Sequence, residues 1–293
     1  MTRPVITQAM INAYDEYTHL TLDRRGFMEK LTKLAGSGAA AAAIAPLLAA
    51  DPAAAEIVPA DDARLKGEDI NWPGSGGDMM GYLVRPAALA GRLPTVIVIH
   101  ENRGLNDHIR DVARRVALAG FSAVAPDFLS PSGGTPPDEN QARDMIGKLD
   151  LAATVADGRA LIDWLSSTGG GGRKVGAVGF CWGGGMTNRL AVAAGSNLKA
   201  AVPFYGPAPD PSEAPKVEAA LLIHLAGNDT RVNSTALPWA EALKAAGKDV
   251  TSHVYPGVEH AFHNDTATER YNRAAAQLAW DRTIEFFKAR LGA

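Results

Sequence analysis

Cysteine is almost missing from this chain. Cys181 is the only one in 293 residues, so no internal disulfide can brace the fold. Basic excess is missing as well. Lys and Arg number 29 against 32 Asp and Glu, a formal net charge of −3. With no surplus positive charge to neutralise phosphates, a nucleic-acid binder is not expected. No run of about 18 strongly apolar residues occurs, so no ordinary membrane span is expected either. No internal repeat is visible. What remains is ordinary for a globular protein, 46% hydrophobic and 21% charged, and long enough for one substantial domain with a real core.

The first 55 residues differ in character from the rest. "DRRGFMEKLTKLAGSGAAAAAIAPLLAADPAAAE" pairs Arg24 with Arg25, follows with Phe27 and an alanine-rich apolar stretch, and offers Ala53 and Ala55 as a small-residue cleavage site. It resembles a twin-arginine export signal, which implies a periplasmic or exported protein. Asp23 before the pair, Glu29 where a basic residue is common, and a long polar lead-in all depart from that pattern. The alternative is a cytoplasmic protein that keeps a helical arm packed on its own domain or on a partner subunit, since alanine-rich sequence is a good helix former. Residues 56–67 read as a linker and 68–293 as the main domain.

Within that domain the hydrophobic pattern alternates. "EDINWPGSGGDMMGYLVRP" reads as two short strands around a glycine turn. "LPTVIVIH", "FSAVAPD", "KVGAVGF", "LKAAVPFYG" and "AALLIHLAGND" are short apolar runs of the kind that is covered on both faces, and "TSHVYPG" is a last strand. Helical spacing marks "IRDVARRVALAG", 138–165, "WGGGMTNRLAVAA", "ALPWAEALKAAG" and 274–290. Alternation of this sort gives a doubly wound, mostly parallel α/β sheet with helices on both faces. Ligands of such sheets bind at the carboxyl ends of the strands.

Four strand ends carry chemistry. Gly179-Phe180-Cys181-Trp182-Gly183 has the G-x-nucleophile-x-G form of a nucleophile elbow. Glycines on both sides let a strained strand-to-helix turn pass its neighbours, and a helix N-terminus favours thiolate over thiol. A buried, inert cysteine is the competing reading. Asp229 follows a later strand and His260 the last one. The order nucleophile, acid, histidine is that of α/β-hydrolases, in which the carboxylate sets the tautomer of the proton-carrying imidazole. Taken singly, Asp229 is equally a helix cap and His260 a loop histidine. Glu101, after "VIVIH", is an awkward charge at a strand end, with an ion pair to Arg103 or another arginine as the plain alternative. The backbone N–H groups of Asn102 and Trp182 are candidates for an oxyanion hole.

"HENRGLN", "GFCWGGG", "AGND" and "GVEHAFHND" together resemble the dienelactone hydrolase (carboxymethylenebutenolidase) family of α/β-hydrolases, from about Glu68 to the C-terminus. The resemblance implies a Cys181–His260–Asp229 triad. It also implies that Glu101 contacts the resting cysteine and that Tyr205, in "PFYG", touches substrate. Arg103, Phe262 and Asn264 are further candidate substrate contacts, with Trp182 and Phe262 either walls of the cleft or core. Asn264 stands where dienelactone-cleaving members carry an arginine that holds the substrate carboxylate, and Arg143 lies in the region of another such arginine. The pairing of "ENRGL" with "HAFHND" resembles an uncharacterised branch of the family. The implied activity is hydrolysis of small lactones or activated carboxylic esters through a thioester.

The connection 206–219 is short and proline-rich, without a lid helix, so an open cleft is expected unless another segment such as the N-terminal arm covers it. A class I amidotransferase-like enzyme also pairs an elbow cysteine with a glutamate, but places its acid just after the histidine. A non-catalytic, hydrolase-like scaffold is the alternative from a different class. His253, His260, His263 and Asp265 lie close in sequence without separate ligand pairs at helical spacing, so no metal is expected. His100 and His224 read as core histidines. No cofactor is expected. The expected partner is a small ester or lactone, and a homo-oligomer stays open.

Overall fold

A computed structural model describes residues 6–19, 21–49, 57–89, 91–167 and 174–292. Its frame is one eight-stranded sheet: β1 (Leu65–Pro73), β2 (Asp78–Pro86), β3 (Thr95–Ile99), β4 (Ser122–Asp127), β5 (Val175–Phe180), β6 (Leu198–Phe204), β7 (Ala220–Ala226) and β8 (Val250–Tyr255), in the order β1-β2-β4-β3-β5-β6-β7-β8. The first two strands form the antiparallel hairpin expected around the glycine turn, and β2 meets β4 antiparallel. From β4 across to β8 every pairing is parallel. The fold is therefore the doubly wound, mostly parallel α/β sheet that the alternating pattern implied.

Nine α-helices are described: α1 (Gln8–Thr18), α2 (Arg24–Ala35), α3 (Gly38–Leu48), α4 (Asp107–Leu118), α5 (Glu139–Ile146), α6 (Leu151–Ser167), α7 (Trp182–Ala193), α8 (Thr230–Ala245) and α9 (Arg273–Leu291). One apolar cluster joins a face of the sheet to α4 and α9 through Val112, Val116 and Phe287. The other face packs on α6, α7 and α8 through Leu161, Leu190 and Trp239. Strands β3 to β7 are buried on both faces, which is why they read as continuous apolar runs. β8 is half exposed and closes the sheet's edge.

Two expectations change. The single helix over 138–165 is broken into α5 and α6, because Gly147 ends the first and Asp150 starts the second by accepting a hydrogen bond from the Ala153 N–H (2.8 Å). Within the linker read at 56–67, Val58 is docked on the main domain and Leu65 already begins β1. The Val58 N–H donates to buried Asp111 (2.8 Å), and Arg114 donates to the Val58 carbonyl (2.6 Å). The glycine break at 168–173 and the cleavage residues Ala53 and Ala55 lie outside the described residues.

The N-terminal helices form their own apolar cluster, built from residues such as Tyr14, Tyr17, Phe27 and Leu31, separate from the clusters that flank the sheet. Among the described residues no single helix is long and apolar enough to cross a membrane, and α2 and α3 meet at a bend of 112°.

The chain order reverses at β3: β4 lies on one side of it and β5 on the other. Loops leaving the carboxyl ends of β3 and β5 diverge there, so this is the point at which a crevice opens. Cys181 follows β5, and Glu101 and Asn102 follow β3.

Candidate active site

Cys181 has φ +55° and ψ −114°, a conformation that non-glycine residues rarely adopt. Its surroundings hold it there. Its N–H donates to the Phe204 carbonyl (3.0 Å), and its own carbonyl accepts from Gly185 N–H (3.0 Å). Gly183 makes the close approach possible: a Cβ there would lie 2.4 Å from the carbonyl oxygens of Ile99 and His100. Gly179 is equally cramped, 2.2 Å from the Gly183 oxygen. The elbow glycines are thus required by the approach of α7 to β3 and β5.

Asp229 is both a helix cap and a histidine partner. One carboxylate oxygen accepts from the Val232 N–H at the start of α8 (3.0 Å), and the other lies 2.5 Å from His260 Nδ1. That contact sets the tautomer and leaves His260 Nε2 free. Nε2 is buried without a hydrogen-bond partner, and the donor atoms of His260 and Cys181 lie within 4.8 Å of each other. Burial opposes a charge on His260, but Asp229 and the neighbouring Cys181 outweigh it and raise the imidazole to about 10. Burial likewise opposes the Asp229 carboxylate, and the His260 charge beside it brings its pKa down to about 2.

Glu101 does not pair with Arg103. Its carboxylate accepts from Asn264 Nδ2 (2.6 Å), while Asn264 Oδ1 accepts from the N–H and hydroxyl of Thr266, which fixes the amide's orientation. Asn264, read as a substrate contact, holds Glu101 in the resting chain. Arg103 pairs with Glu139 and donates to the Tyr14 hydroxyl (2.5 Å). Tyr205, at φ +36° and fully buried, packs its ring against His260 at 5.0 Å. Phe262 lies in the core among Phe204, Tyr205 and Tyr255 and does not line the cavity, because the backbone turn at Ala261 (φ +64°) sends His260 and Phe262 to different sides. Trp182 stacks on His100 at 5.2 Å and leaves its amide as the first N–H of α7, which has no acceptor within the helix. Arg143 covers the ring of Tyr17 at 4.2 Å and does not line the cavity around the thiol.

Three residues at the site carried no usable sequence signal. His19, just past α1, places Nε2 3.2 Å from the Cys181 sulfur and its ring 4.8 Å from His260. Its Nδ1 donates to the Asp15 carbonyl (2.7 Å), so the Nε2 lone pair faces the thiol and the Arg231 guanidinium, 3.0 Å away. Burial lowers its pKa well below 6.5, leaving it neutral. Arg270 pairs with Asp15 at 3.2 Å and also lines the cavity. The expected open cleft is therefore covered. The 206–219 connection has only a short 3-10 turn at Pro211–Lys216, but α1 takes a lid's place. The cavity left beside Cys181 is about 20 Å³.

The donor atoms of His19, Cys181 and His260 lie within 4.8 Å of one another, a spacing a soft cation could use. The Arg231 guanidinium on His19 Nε2 works against a cation there. The other histidines flagged near the C-terminus do not converge. His263 stacks on Phe180 in the core, Asp265 pairs with Arg115 and His108, and His253 lies on β8. His100 and His224 are core histidines with both nitrogens bonded.

Residues 79–291 match the model of the dienelactone hydrolase family. The chain belongs to the dienelactone hydrolase family. A Salmonella typhi relative described as "Putative carboxymethylenebutenolidase" is 35% identical over 257 residues, covering 82% of this chain and 93% of its own. An Escherichia coli K12 relative of the same description is 34% identical over 258 residues, with the same coverage. Among solved structures, a "Putative Dienelactone Hydrolase" from Klebsiella pneumoniae superposes with a TM-score of 0.67 at 30% identity, covering 76% of this chain and 98% of that one. Brefeldin A esterase, at 15% identity, shares the fold with a TM-score of 0.66 over 99% of this chain and 95% of its own.

The His260 shift has a sign that can be measured. Its folded value, about 10, lies above the ordinary 6.5, so its stabilisation is fully present below pH 6.5 and is lost as pH rises toward 10. The stability difference between the wild type and His260→Gln should shrink over that window in urea titrations. A difference that is constant from pH 6.5 to 10 contradicts the shift.

Proposed function

We propose that the protein hydrolyses small lactones or activated carboxylic esters through Cys181, His260 and Asp229. The observation that carries this reading is the bonded Asp229–His260 pair with the thiol within 4.8 Å of the imidazole, at the carboxyl ends of three strands, in a member of the dienelactone hydrolase family. His260, raised to about 10, is suited to take the Cys181 proton and hold it as imidazolium beside Asp229. The thiolate attacks the carbonyl carbon, forming a C–S bond and an oxyanion that the amides of Asn102 and Trp182 receive. Collapse breaks the C–O bond, and the departing alkoxide or enolate takes the proton from His260. Water then gives a proton to His260 and attacks the thioester. The C–S bond breaks, the acid leaves, and the thiol is restored.

Glu101, lining the same cavity, is a second proton acceptor for the thiol once it leaves Asn264. A thiolate is also a good leaving group, so the first intermediate reverts unless the alcohol departs easily. This favours enol lactones and activated esters over amides.

The first 55 residues, with the arginine pair Arg24 and Arg25, we read as an export signal. Its paired arginines are exposed at the start of α2, ahead of the alanine-rich α3. N-terminal sequencing of protein from the native host should begin after Ala53 or Ala55; a start at Met1 or Thr2 contradicts export with cleavage.

For the chemistry, Cys181→Ala should reduce hydrolysis of an activated ester by about 10⁴-fold or more. Glu101→Gln should lower kcat/KM by about 10²-fold. Undiminished turnover in Cys181→Ala, or equal turnover of simple amides and enol lactones by the wild type, would overturn the reading.

A further inference from the structure

The cavity beside Cys181 has room for about one water molecule. An ester must bring its carbonyl carbon to roughly 3 Å from the sulfur before a bond can form. That approach is taken: His19 Nε2 stands 3.2 Å from Sγ, and the same ring packs on His260. Thr18 is next to it, its carbonyl accepting from Asn102 Nδ2 at 2.5 Å, beside the amide assigned to the oxyanion. The arm therefore blocks the sulfur and crowds the acceptor position together.

The attachment of the arm is of a kind that can be undone. Helices α1, α2 and α3 share an apolar cluster of their own, which does not merge with either sheet cluster. Their ties to the main domain are polar or aromatic-cationic. Asp15 pairs with Arg270, the Tyr14 hydroxyl accepts from Arg103, and the Tyr17 hydroxyl donates to Asn140 at 2.9 Å. Water replaces such contacts on release, so the net gain from each is small compared with its strength in the docked state. Burial also raises the pKa of Asp15, against the pull of His260 and Arg270, so docking carries a desolvation cost. Release exposes polar groups and leaves the sheet's core intact.

We propose that the segment Tyr14–His19 is an internal inhibitor: docked, it denies Cys181 to carbonyl substrates, and turnover occurs only in the fraction of molecules whose arm has lifted. This rests on Cys181 being the reacting group. The observed rate is then the rate of the open form multiplied by its population. Removal of the arm by processing, as the export reading implies, leaves the site open permanently.

The test uses the full chain, whose single cysteine makes alkylation by iodoacetamide specific to Cys181. Tyr14→Phe combined with Asp15→Arg, which sets like charge against Arg270, should speed alkylation at least tenfold, as should His19→Gly. Both should raise kcat/KM for an activated ester by a similar factor. Alkylation as fast in the wild type as in both variants overturns the inference. So does a fall in ester hydrolysis in His19→Gly with alkylation unchanged, which would make His19 part of the chemistry. Faster alkylation without hydrolysis of any ester by any form supports the arm while removing the hydrolase reading. A second measurement needs no variant. Wild-type protein carrying an N-ethylmaleimide adduct on Cys181 should show faster amide hydrogen exchange across residues 8–18 than unmodified protein. Unchanged protection with the adduct in place contradicts the inference.

Discussion

The backbone at Cys181 is the constraint on which the rest of the site depends. A residue held at φ +55° between a strand and a helix turns its side chain out of the sheet's end. Such a conformation costs about 1–3 kcal/mol, and it persists because β3, β6 and α7 pin it. The Phe204 carbonyl and the Gly185 amide fix the peptide groups on either side. Gly183 lets the helix lie against the carbonyls of Ile99 and His100. The same approach brings the end of β3, with Glu101 and Asn102, next to the thiol. One strained turn therefore brings the sulfur and the Glu101 carboxylate to one cavity.

Around that sulfur the electrostatics are arranged in pairs that pull apart. His260 is held toward its charged form by Asp229, while His19, with no carboxylate on it, is held neutral by burial. Two imidazoles within 4.8 Å of one thiol thus differ in protonation, one suited to carry a proton and the other to present a lone pair. Asp229 stays ionised because His260 and the start of α8 both bond to it. Capping α8 and partnering His260 are one arrangement, using one oxygen each.

The sheet, its crossovers and the four strand ends were legible because each depends on local pattern. Buried parallel strands need continuous apolar runs, and an elbow needs glycine where backbones touch. Asp229 and His260 were legible through order and strand-end position, although thirty residues separate them. The break between α5 and α6 was missed because Gly147 and Asp150 lie inside a pattern whose apolar spacing continues across them. Phe262, open between cleft wall and core from the sequence, lies among core rings, because adjacent residues diverge at the positive φ of Ala261, which no composition rule flags. The engagement of His19, Arg231 and Arg270 depends on how a separate helical unit docks. Its polar contacts, such as Asp15 with Arg270, join residues 255 positions apart and leave no periodic trace.

The central claim is that the Cys181 sulfur bonds covalently to the acyl group of its substrate. The most direct measurement is rapid acid quench of enzyme mixed with an activated ester, followed by mass spectrometry of the peptide that contains Cys181. The account predicts an added acyl mass on that peptide, which rises within the first turnover and decays when the ester is exhausted. Product released over the same interval, with that peptide unmodified at every time point, would contradict it.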